Sequence, residues 1–279
     1  MGKLNIRPRT LDEEIVKDGL SAVSTIFSDS TLKYESFVVG GVATQSYLPS
    51  RCRRPTSDID LAVLRPLSYS EFRVVSRPVW EWLSDKHYNV ELDKGHNSYQ
   101  IVYSDEHGNS SLIEFSRKSK AYVEKVGKRL EEEMRRGRMK IVEGRDVSCR
   151  FASPEDIAIP KIVRSINALD RHPELMEDMP FGANVHITDT EIAAKLKMIY
   201  KLREEATIHA GDLMRTQRLR FCSDMFDVRL LSELTGYNES DFAASMTNWS
   251  TFHSQPEFTQ IVFNNVLPKG SIGKLLKYG

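Results

Sequence analysis

Two short apolar runs constrain the fold of this chain more than any other part of it. Phe37-Val38-Val39 ends in the pair Gly40-Gly41, and Thr56-Ser57 leads into Asp58-Ile59-Asp60-Leu61-Ala62-Val63. Successive side chains on a strand point to opposite faces, so Asp58 and Asp60 share one face while Ile59, Leu61 and Val63 share the other. The apolar face can reach a core. The acidic face sets two carboxylates side by side, and these repel unless something cationic sits between them. Mg²⁺ is the economical choice, because this hard ion takes carboxylate and phosphate oxygens together. A Gly pair lets a backbone approach such phosphates closely.

In-line displacement at phosphorus is served by two metal ions roughly 3.5–4 Å apart, which hold the attacking and leaving oxygens. A third carboxylate is then needed. Glu114 supplies the best match: in Ser111-Leu112-Ile113-Glu114-Phe115-Ser116, Ile113 and Phe115 share a face and Glu114 takes the other. This repeats the parity of the Asp pair, so the three acids converge if the two strands are neighbours. Asp93 and Asp105 are weaker alternatives, each near a predicted strand end. Taken singly, each feature has an ordinary explanation. A Gly pair after an apolar run is commonly a strand-to-helix turn, and an isolated acid-x-acid strand is commonly a solvated edge. The order of strand, Gly pair, helix, arginine loop, acidic strand and later strand acid selects a nucleotide site.

Helical spacing covers 11–29, with Ile15, Val16, Leu20, Val23 and Ile26 apolar. A strand at 36–40 leads to a short helix at 41–48, a loop at 49–57 and a strand at 58–64. A helix follows at 69–84, with Pro78 a potential kink. Strands alternate at 88–93, 98–104 and 110–116, with His107-Gly108-Asn109 as a hairpin turn. A charged helix at 118–136 precedes a strand pair at 138–151. Ser153-Pro154-Glu155-Asp156 then opens a helix, with a cap, a Pro at the first position and acids at the positive end. Beyond it the pattern is helical, interrupted at 171–188 by a Pro-, Gly- and His-rich loop or lid. There are no internal repeats. The expected architecture is α+β: residues 1–151 with a small mixed sheet, and a helical domain at 152–279 forming the other wall of a cleft.

A length of 279 residues allows two domains or one large one. Thirty-nine basic residues balance 39 acidic ones, so no global field recruits nucleic acid or membranes. Cys52, Cys149 and Cys222 show no C-x-x-C spacing, which argues against a zinc site or a disulfide framework and fits a reducing compartment. No apolar run approaches the roughly 20 residues of a membrane span, and the charged N-terminus lacks a signal-peptide apolar region. A cytoplasmic protein is expected.

The pairing of an apolar-Gly-Gly turn with acid-apolar-acid resembles the DNA-polymerase-β-like nucleotidyltransferase superfamily. Arg54-Pro55-Thr56-Ser57-Asp58-Ile59-Asp60 is similar to the R-x-[ST]-x-D-I-D of its AbiEii-type branch, which includes toxins of toxin–antitoxin pairs. The likeness is strong over 36–64, moderate to 116 and thin elsewhere. It implies that Gly40 and Gly41 contact a triphosphate, that Asp58 and Asp60 ligate Mg²⁺, and that Glu114 assists metal binding or acts as a base. It also gives Arg54 and Thr56 a nucleotide role. Lys161, near the start of the helix opened by Ser153, would neutralise a phosphate oxygen, although Pro160 before it is irregular. Asp224 and Asp227 match a family pair that would orient Lys161 or another cation, with Ser223 where a basic residue is usual.

The resemblance therefore implies transfer of NMP from an NTP to a hydroxyl of RNA, tRNA included, or of protein, with two Mg²⁺ ions and release of pyrophosphate. An antitoxin protein is an implied partner. The alternatives are a non-catalytic nucleotide-binding regulatory protein on the same scaffold, and an RNA adaptor using the Lys- and Arg-rich 117–140. That stretch is broken by Glu131-Glu132-Glu133 and lacks interleaved aromatics, so a salt-bridged solvated helix is the preferred reading. Arg51 and Arg53 fit either a phosphate contact or a solvated loop. The glycine-lysine tail at 270–275 lacks the spacing of a phosphate loop. The histidines show no metal-ligand spacing. Trp80 and Trp82, two apart, cannot both face one core.

Overall fold

The computed structural model describes residues 7–29, 36–95, 98–182 and 186–267, so the 270–275 tail lies outside the described residues. The chain divides into two compact units, 1–46 with 55–153 and 47–54 with 154–279. Residues 47–54 group with the second unit.

The first unit holds a seven-stranded mixed sheet. Its strands are β1 (Ser36–Val39), β2 (Ile59–Val63), β3 (Val90–Lys94), β4 (Ser98–Asp105), β5 (Gly108–Ser116), β6 (Arg138–Ile141) and β7 (Ser148–Phe151). Their order is β3-β4-β5-β2-β1-β7-β6. The pairs β2–β5 and β1–β7 are parallel and the others antiparallel. A parallel neighbour requires a long crossover, and β2 reaches β5 through two helices and the β3–β4 hairpin. The alternation expected of β2 is realised: Ile59, Leu61 and Val63 are buried at 0–1% exposure. The helix α1 (Glu14–Asp29) packs against β2, β5 and β7, and buries Val16, Leu20 and Val23.

The single helix expected over 69–84 is two, α3 (Tyr69–Val75) and α4 (Arg77–Asp85). Ser76 ends the first, its hydroxyl donating to the Phe72 carbonyl at 2.7 Å. Pro78 sits in the first turn of α4, where its missing N–H is one of the groups a helix leaves without a partner. The β4–β5 turn falls at Glu106-His107, one residue earlier than expected, with Asp105 opposite Gly108. The charged helix α5 (Lys120–Arg136) buries only Leu130 and carries ion pairs Lys120–Glu124 and Arg129–Glu133 one turn apart. Trp80 donates its ring N–H to the Val90 carbonyl at 2.8 Å, whereas Trp82 lies under the Lys86 ammonium.

The second unit is helical: α6 (Pro154–Arg171), α7 (Asp189–Ile208), α8 (Leu213–Leu230), α9 (Glu239–Met246), α10 (Thr251–Ser254) and α11 (Pro256–Val266). Its core includes Ile159, Ile162, Ile166, Phe221, Met225, Phe242 and Phe263. Pro160 lies within α6 without ending it. The expected loop at 171–188 contains a short 3-10 helix, Pro173–Asp178, and anchors itself through Leu175 and through Phe181 stacked on Phe226. Residues 47–54 join this unit through a 3-10 turn, Ser50–Cys52, that buries Cys52 and pairs Arg51 with Asp189. All three cysteines are free and buried. Among the described residues, no helix is long and apolar enough to cross a membrane.

Candidate active site

The site grows from the register between β2 and β5. Asp60 stands opposite Glu114, flanked by the apolar pairs Ile59–Ile113 and Leu61–Phe115. Burial of those flanking pairs leaves both carboxylates on the other face. Asp58, just before β2, joins them, and one carboxylate oxygen from each of the three lies within 4.8 Å of the others. All three residues are half-buried. Asp93 and Gln100 continue the same cross-strand row beyond Glu114. Gln100 donates to Glu114 at 3.5 Å, at the limit of a hydrogen bond. Asp105 is occupied elsewhere, paired with Arg7 and accepting the His107 N–H at the hairpin turn.

The Gly pair has a steric explanation. Gly40 adopts φ +70°, and a Cβ there would stand 2.0 Å from the Asp60 carboxylate. A Cβ on Gly41 would stand 2.3 Å from the Thr56 hydroxyl. Only a chain without side chains at both positions brings β1 and the following helix α2 (Gly40–Gln45) this close to the acidic strand. The first turn of α2 carries no side-chain cap.

Arg9 braces the site and carries no signal in the sequence pattern. It is 1% exposed and pairs its backbone with Thr56 in both directions. Its guanidinium donates to the Ser57 carbonyl at 3.0 Å, the Ser111 carbonyl at 2.9 Å and the Ser110 hydroxyl at 2.6 Å. Arg9 thus ties the start of β2 to β5 and fixes the spacing of Asp58 and Glu114. No periodicity or motif surrounds it, so no sequence signal pointed there.

Burial and neighbouring carboxylates dominate the electrostatics at Asp58. Burial, and next the Glu114 carboxylate, push Asp58 up to about 6, although the Ser57 hydroxyl and Arg9 oppose the shift. The donor set is entirely hard oxygen, which suits Mg²⁺.

The other residues singled out from sequence fall in two places. Gly40, Gly41 and Thr56 are in the first unit with the triad. Arg54 and Lys161 are in the second unit, where they meet each other through Asp227. Arg54 grips Asp227 with two bonds of 2.7 and 2.6 Å. Lys161 donates to Asp227 at 2.7 Å and to Asp224 at 3.3 Å. Arg164, unremarked in the sequence, holds Asp224 with two bonds of 2.9 Å. Burial alone would raise Asp224, but Lys161, Arg164 and Arg54 hold its carboxyl below the usual range.

No protein-family model matches the chain, and no curated protein matches it. Among solved structures, the chain is similar to one described as the crystal structure of an antigenic nucleotidyltransferase-like protein from Paracoccidioides brasiliensis. The two share 11% identity and a TM-score of 0.42, over 96% of this chain and 100% of that one. The functional reading rests on the site itself.

Proposed function

We propose that the protein is a metal-dependent nucleotidyltransferase that moves an NMP from an NTP to a hydroxyl and releases pyrophosphate. The observation that carries this reading is the convergence of Asp58, Asp60 and Glu114 within 4.8 Å on one face of a sheet. Bound there, Mg²⁺ would neutralise phosphate charge and activate the attacking oxygen. Asp58 and Asp60 would hold the metal, and Glu114 would assist in holding it or take the hydroxyl proton. The backbone at Gly40 and Gly41 lies beside Asp60 with no side chain in the way, which suits it to phosphate oxygens. Thr56, Arg54 and Lys161 belong to the proposal as nucleotide contacts. Catalysis of this kind is chiefly positioning and electrostatics.

The acceptor in this proposal is a hydroxyl of RNA, tRNA included, or of protein. The finer placement in the AbiEii-type branch, with an antitoxin as partner, rests on the Arg54–Asp60 segment. Each α-labelled NTP, incubated with Mg²⁺ and pools of RNA or protein, tests the reaction. Label is expected on one pool, and on neither with Asp58→Asn or Asp60→Asn, both of which should fold normally. Near-normal turnover in either variant counts decisively against the scheme. Nucleotide binding with no labelled product from any pool favours a regulatory protein instead.

A further inference from the structure

A second polar concavity lies wholly within the helical unit, between α6 and α8. It has a volume of about 200 Å³, and its lining includes Arg164, Ser165 and Arg171 from α6 and Gln217, Arg220 and Asp224 from α8. Three guanidinium groups face one carboxylate, and that carboxylate is already held by Arg164 through two bonds. Arg171 and Arg220 are exposed and have no hydrogen-bond or ion-pair partner among the described residues. Two of the three guanidinium groups in the lining are thus left without a carboxylate. An independent observation points the same way. Ser165, one of the lining residues, is 0% exposed, and its hydroxyl has no hydrogen-bond partner. A buried hydroxyl left without a partner is costly, and an acceptor in the concavity would satisfy it.

We propose that this concavity binds a phosphate group. Arginine forks, a hydroxyl and the Gln217 amide offer more donors than the two oxygens of a carboxylate can take, and a tetrahedral dianion with several acceptor oxygens matches them. The volume lies below the roughly 300 Å³ at which pockets for drug-sized ligands begin. It accommodates a phosphate group. The phosphate comes either from a small molecule or from the 5′ end of an RNA. This site shares no residue with the Asp58–Asp60–Glu114 cluster, and it touches the proposed nucleotide contacts only through Asp224, which also accepts from Lys161.

Calorimetric titration of the full chain in phosphate-free buffer tests the idea, with inorganic phosphate, acetate, and one short RNA bearing either a 5′-phosphate or a 5′-hydroxyl. Phosphate should bind at least 10-fold more tightly than acetate. Arg220→Gln and Arg171→Gln should each weaken it about 10-fold, and Ser165→Ala several-fold, with unchanged thermal unfolding of the two surface variants. Preference for the 5′-phosphorylated RNA, lost in Arg220→Gln, assigns the source to an RNA end; equal binding of the two RNAs, with tight inorganic phosphate, assigns it to a small molecule. Binding no tighter than acetate, or indifferent to both arginine substitutions, overturns the proposal. So does loss of phosphate binding in the Asp58→Asn/Asp60→Asn double variant, which would relocate the anion to the first unit.

Discussion

At the residue scale the most informative position is Gly40. Alanine there would face a left-handed backbone costing about 1–2 kcal/mol, and its Cβ would collide with the Asp60 carboxylate. Gly40→Ala should therefore weaken Mg²⁺ binding at least 10-fold in calorimetric titration. Gly41→Ala crowds Thr56 instead, and should lower stability in urea melts with a smaller loss of metal affinity. A similar effect of both on Mg²⁺ would count against Asp60 as a ligand. Asp58 sets a pH dependence of known sign. Its folded value of about 6 lies above the ordinary carboxylate value, so the metal-free native state holds that proton more tightly than the unfolded chain does. Its contribution to metal-free stability falls as pH rises from about 4 through 6. Mg²⁺ must displace the proton below that range. The rise in melting temperature with Mg²⁺ should be large at pH 7.5 and shrink below pH 6, and Asp58→Asn should flatten the profile.

At the element scale, the pairing of α6 with α8 depends on buried charge. Asp227 is 1% exposed and receives both Arg54 and Lys161. Removing one partner of a buried pair leaves the others uncompensated and costs about 3–5 kcal/mol. Asp227→Asn should lower unfolding free energy by that order in urea, while Mg²⁺ binding persists; an unchanged midpoint would show that water screens the cluster. Asp224 gives the opposite pH sign to Asp58. Its carboxyl is held low, so its contribution is present above about 4 and lost as pH falls through the lower folded value. The break between α3 and α4 belongs to the same scale. Pro78 was legible as a disturbance, but its place in the first turn of a new helix, with Ser76 closing the old one, depends on where the chain turns.

On the scale of the whole molecule, the two units interleave in sequence, because residues 47–54 group with 154–279. A fragment of residues 1–153 would leave this segment without its helical neighbours. Cys52, 0% exposed in the full chain, should then react rapidly with a thiol reagent, and slow labelling in the fragment would show that 47–54 is covered by the first unit. Much of the site was present in local pattern. The alternation around Asp60 and Glu114 assigns each carboxylate to a face, and the Gly pair marks a close approach, because strand geometry and the lack of a Cβ are properties of a few consecutive residues. Other features are invisible at that range. The opposition of Asp60 to Glu114 needs β2 and β5 to be parallel neighbours. The brace from Arg9 needs Ser57 and Ser111, far apart in sequence, within reach of one guanidinium. Arg54 meets Asp227 only after the second unit closes. Sequence alone determined which side chains could share a surface. Tertiary structure decided which of those surfaces meet, since pairing between distant segments is chosen by how all the apolar faces bury together.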